Sequence, residues 1–151
     1  MTHRLAPPQV TTFWLLLALC ACEHEPSTPP KAQRAWSELA VTMSRELREA
    51  AGLALAEGRH EDAREAVERC YEERFEPPEQ NMEDAIRDAI SPARASTIEA
   101  SFEDLERSLA SPGPAGEALA RLTRLERQLT EAAAALDQKR VPIGPRSEAA
   151  D

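Results

Sequence analysis

Ala118-Leu-Ala-Arg-Leu-Thr-Arg-Leu-Glu-Arg-Gln-Leu-Thr-Glu-Ala-Ala-Ala-Ala-Leu136 is the stretch that decides the fold. Its apolar residues Ala118, Leu122, Leu125, Leu129, Ala132 and Leu136 recur at steps of three and four. That a/d spacing lines one face of a helix and needs a partner to cover it. Working upstream, Ser111-Pro-Gly-Pro114 breaks the chain, and before it Ile98, Phe102, Leu105 and Leu109 mark another helix. Ser91-Pro92 supplies its cap and a proline at the first helical position. Asn81 caps a short helix carrying Met82, Ala85, Ile86 and Ile90. Pro77-Pro78 stops a helix running from about Glu61 to Glu76, with Ala63, Ala66, Val67, Cys70, Tyr71 and Phe75 on one face. The first helix spaces Trp36, Leu39, Ala40, Met43, Leu47, Ala50, Ala51 and Ala54 helically until Gly58 closes it. No stretch alternates as a half-buried strand does. Short links favour antiparallel neighbours. The expectation is all-α: a small antiparallel bundle of about five helices, the third the shortest, with disordered ends.

The ends read differently. Val10-Thr-Thr-Phe-Trp-Leu-Leu-Leu-Ala-Leu-Cys-Ala21 is almost wholly apolar but little more than half the roughly 20 residues that a bilayer span needs. It has the length of a signal-peptide apolar region. Leu19-Cys20-Ala21-Cys22 has the form of a lipobox: Leu at −3, small residues next, and the cysteine to be acylated. Cys20 is the poorer acceptor, since Leu19 would then stand where a small residue is required. The expected organisation is therefore a lipoprotein signal peptide at 1–21, a tether at 22–30, a helical domain at 31–140 and a flexible tail at 141–151. Cys22 is the expected lipidation site. The expected place is the periplasm, anchored by lipid to the inner or outer membrane. An ordinary signal peptide that happens to end in cysteines is the alternative.

Charge and cysteines narrow the function. Arg4 is the only one of 18 lysines and arginines ahead of Cys22, so from there on 17 face 27 carboxylates, a formal charge of −10. A nucleic-acid binder carries the opposite balance. The lipid, not a basic patch, is what would hold such a chain at a membrane. With Cys20 removed and Cys22 acylated, Cys70 is left alone on an apolar stripe, where a buried, inert thiol is the expectation and a reactive or metal-binding thiol the alternative. Glycine-rich phosphate loops and zinc-type Cys/His spacing are absent, and His60 stands in a turn with no nucleophile nearby. These residues argue against an enzyme.

The concentrated feature is acidic. Ten carboxylates fall between Glu61 and Asp84, against Arg64, Arg69 and Arg74. Glu68, Glu72 and Glu76 share one helical face at i, i+4, i+8. The proline break then allows Glu79 and Glu83 to fold back toward Glu76. Carboxylates forced together raise one another's pKa unless a positive charge offsets them. The expected cation ligands are thus Glu76, Glu79 and Glu83, with Tyr71 and Glu72 as additions; oxygen ligands suit iron, calcium or manganese. A solvated acidic face interspersed with arginines is the simpler reading.

One stretch carries a family likeness. Tyr71-Glu-Glu-Arg-Phe-Glu-Pro-Pro-Glu-Gln-Asn-Met-Glu-Asp-Ala-Ile86, then Ser91-Pro92-Ala93-Arg94, then Ile98-Glu-Ala-Ser-Phe-Glu-Asp-Leu105, resembles the extracytoplasmic helical domain of bacterial high-affinity (oxidase-dependent) iron permeases. The matching positions are Tyr71, Phe75, Glu76, Met82, Glu83, Ser91, Pro92, Ile98, Glu99, Phe102 and Leu105. The link from Phe75-Glu76 to Met82-Glu83 is about two residues longer than the family form, and the permease membrane helices are missing. The resemblance therefore implies an accessory rather than a transporter: a protein that binds iron or docks on an iron permease or a periplasmic electron-transfer partner. Arg45-Glu-Leu-Arg-Glu49 and Arg64-Glu-Ala-Val-Glu68 fit the family's Arg-Glu-x-x-Glu pattern, but both lie on charged helices where such spacing recurs by chance. The competing expectation is a structural or scaffolding envelope lipoprotein without metal.

Overall fold

A computed structural model describes residues 35–77 and 81–144; the expected signal peptide at 1–21, Cys22, the expected tether at 22–30 and Glu79 lie outside them. The described chain is all-α, with five helices and no strand among the described residues. They are α1 (Trp36–Glu57), α2 (His60–Cys70, continued by a π-helical turn Tyr71–Phe75), α3 (Met82–Ala89), α4 (Pro92–Leu109) and α5 (Ala115–Gln138).

Local chemistry sets the boundaries. Gly58 adopts φ 68° and its N–H donates to the Leu53 carbonyl, while Arg59 N–H does the same at 2.9 Å. That left-handed C-terminal cap suits a residue without a Cβ. The Asn81 side chain accepts from Asp84 N–H at 2.7 Å, and Ser91 Oγ accepts from Arg94 N–H at 3.1 Å. Pro92 follows Ser91 at the first helical position, where its missing N–H costs no hydrogen bond.

Cross-links between helices fix their directions. Only Gly58 and Arg59 separate the end of α1 from the start of α2, and Arg74 just beyond α2 reaches back to Glu46 in the first half of α1, so α1 and α2 run antiparallel. The Arg48–Glu126 pair at 2.6 Å and the Trp36–Asp137 bond make α1 and α5 antiparallel too. His60 Nδ1 donates to the Leu109 carbonyl at 2.9 Å, setting the start of α2 beside the end of α4. Arg94–Glu131 and Arg121 on the Asp104 carbonyl close the ring between α4 and α5. The four long helices thus form an up-and-down bundle, with α3 packed chiefly on α4 at the end where α2 finishes.

The apolar stripes meet in one core. Met43, Leu47, Phe75, Met82, Ile86, Ile98, Leu105, Leu109, Leu125, Leu129 and Leu136 are fully enclosed. Alanines at 50, 51, 54, 132 and 133 are buried between them and allow close helix approach. Cys70 is buried in the same cluster, and burial pushes its thiol up to about 12.

Two features depart from the expected outline. The end of α2 widens into a π-turn instead of continuing as α-helix to Glu76. The segment after α5 does not leave the bundle at once. Val141 and Ile143 pack partly buried against the core, and the Val141 carbonyl accepts from the Trp36 indole N–H at 2.8 Å. Trp36 is 2 % exposed, so its indole N–H needs a protein acceptor, and residue 141 provides it.

Candidate functional site

The π-turn shapes the most distinctive surface of the bundle. Glu76 N–H donates to the Tyr71 carbonyl at 3.0 Å, a five-residue step that inserts an extra residue into the last turn of α2. Phe75 thereby enters the core, fully enclosed, while Tyr71 stays partly exposed above it. Tyr71, Phe75 and Phe102 form a cluster with ring centroids 5.3–5.6 Å apart, Tyr71 meeting Phe102 edge-on. Such tilted and edge-on contacts add about 0.5–1.5 kcal/mol per pair beyond burial.

On this floor lies a groove of about 250 Å³ between α2 and α4. Val67, Tyr71 and Phe102 line its base; Glu68, Glu72 and Glu76 stand on one wall, and Glu99, Glu103 and Glu106 on the other. The antiparallel packing of α2 against α4 explains the pairing, since both helices turn a carboxylate row outward along the same seam. Arg64 occupies one end, 2.7 Å from Glu61, 3.0 Å from Glu68 and 3.4 Å from Glu106. These contacts hold its guanidinium above its ordinary pKa.

At the other end the carboxylates crowd. Glu83 is 5 % exposed, and Arg87 donates to it while also holding Asp84 at 2.6 Å. Desolvation raises the Glu83 carboxyl pKa; Arg87 opposes this, and Glu76, Glu99 and Asp84 add to the rise. The Tyr71 phenol is pushed up as well, first by burial and then by the nearby carboxylates Glu76, Glu83 and Glu99. Tyr71 is accordingly a neutral hydroxyl here and becomes a phenolate only beside a strong cation.

The expected ligands meet these surroundings in different ways. Tyr71, Glu76 and Glu83 are neighbours, drawn from the π-turn, its end and α3. Glu72 stands exposed on the groove wall. Glu79 lies outside the described residues, as does Cys22. Glu99 joins the cluster from α4 without having been picked out as a ligand. Its signal was a carboxylate beside Ile98, three residues ahead of Phe102, and so on the groove-facing side of α4. Among the described residues, no three His, Cys, Asp or Glu side chains are placed to hold a metal ion. Among the same residues no helix is long and apolar enough to cross a membrane. No protein-family model, no curated protein and no solved structure matches this chain.

Proposed function

We propose that this chain is a periplasmic accessory protein of iron uptake, held to the inner or outer membrane by a lipid on Cys22, whose α2–α4 groove engages cationic groups. The observation that carries this reading is the groove itself: six carboxylates around a floor of Tyr71 and Phe102, with Arg64 paired to Glu68 and Glu106 at one end and Arg107 reaching Glu103 at 3.9 Å. The carboxylates are spread along a seam rather than gathered at one point. Such a seam suits lysine or arginine side chains, which carry their charge on long stems, better than a bare ion. A guanidinium can lie on an aromatic face while carboxylates accept its N–H groups. The partner is then a basic segment of an iron permease or of a periplasmic electron-transfer protein, and the acidic field speeds its approach.

Iron bound directly is the second form of the same reading. It requires Glu76, Glu83 and Glu99, with Tyr71, Glu72 and Glu79, to close on one ion. Arg87 could release Glu83 and keep Asp84 as its partner. The alternative function, a structural or scaffolding envelope lipoprotein that binds another protein without metal, draws on the exposed apolar side chains Val41 (70 % exposed) and Leu119 (49 %).

Calorimetric titration of the soluble chain from residue 31 onward separates these readings. The probes are an oligo-arginine peptide and, separately, ferrous, ferric, calcium and manganese ions, each against wild type and a Glu76→Gln/Glu99→Gln variant. Peptide binding tighter than about millimolar, weakened about tenfold or more by the variant, is the expected result. Binding of an ion but not the peptide selects the metal form. Binding of neither leaves the scaffold reading.

A further inference from the structure

We draw no further inference here: the strongest candidate, the shallow apolar groove between α1 and α5 lined by Gly52, Leu55, Leu119 and Leu122, has nothing in the structure to show what covers it.

Discussion

Glu83 is the residue where burial and charge conflict most directly. Its carboxyl is enclosed, and its pKa is raised, so the folded chain holds that proton more tightly than the unfolded one does. The stability from this group is fully present below the unfolded value of about 4.3 and is lost as pH rises through the folded value. At neutral pH the ionised form is tolerated because Arg87 bonds to it. Glu83→Gln keeps the shape and removes the charge, so at pH 7 it should be at least as stable as wild type in urea denaturation. Arg87→Ala leaves the buried carboxylate without that donor and should cost about 1–3 kcal/mol at pH 7. A Glu83→Gln variant that is clearly less stable would show the ion pair outweighing desolvation. Cys70 offers a simpler check. With its thiol pushed up to about 12 and its side chain buried, iodoacetamide at pH 8 should label it only after denaturant is added. Labelling of Cys70 itself in the folded chain at the unfolded rate would contradict the packing of α1 on α2.

At the scale of elements, some helix ends were legible in the sequence and two were not. Asn81 and Ser91 bond to the N–H three residues on, so their caps can be read from the residue type and its position. Trp36 begins α1 after Ala35, which has no capping side chain. The cap comes from the far end of the chain: Asp137 accepts from Trp36 N–H at 2.8 Å, Ser37 N–H at 3.1 Å and Ser37 Oγ at 2.6 Å. A contact spanning 101 residues leaves no local signature. The π-turn was hidden for a similar reason, since it serves the three-ring contact with Phe102, which exists only once α4 has packed. Glu68, Glu72 and Glu76 were readable as one row, but the wall opposite them was not. Burial works against ionisation of Asp137, yet its bonds from Ser37 and from the two backbone N–H groups outweigh it and hold the carboxyl below its usual range. Its contribution is present above the unfolded value of about 3.9 and is lost as pH falls through the folded one. Asp137→Asn keeps an acceptor for Trp36 N–H but puts an NH2, which cannot accept, where Ser37 donates, so it should lower stability by about 1 kcal/mol at pH 7. The deficit should shrink toward pH 3, where wild type loses the same charge. A deficit that does not change with pH would assign the effect to packing instead.

For the whole molecule, the question is which set of charges governs stability. The full sequence has a formal charge of −9, and six of its carboxylates crowd the α2–α4 groove. Against that repulsion stand ion pairs that bridge helices, Arg48–Glu126, Arg74–Glu46, Arg94–Glu131 and Arg64–Glu106. Arg48 is well exposed and Arg74 partly so, and surface pairs of this kind contribute about 0–1 kcal/mol each. Salt screens both sets, with a Debye length falling from about 10 Å at 0.1 M to about 3 Å at 1 M. Bridging pairs in direct contact keep more of their strength than carboxylates facing each other across a solvated groove. Raising sodium chloride from about 0.05 to 0.5 M should therefore increase the melting temperature. A Glu99→Gln/Glu103→Gln variant, which thins one wall without touching the core, should melt higher at low salt and respond less to added salt. If the groove engages cations as proposed, oligo-arginine should raise the wild-type melting temperature more than sodium chloride of equal ionic strength, and lose that advantage in the variant. A melting temperature that falls with salt in both proteins would mean that the bridging pairs dominate, and that the groove's acidity is too well solvated to attract a partner.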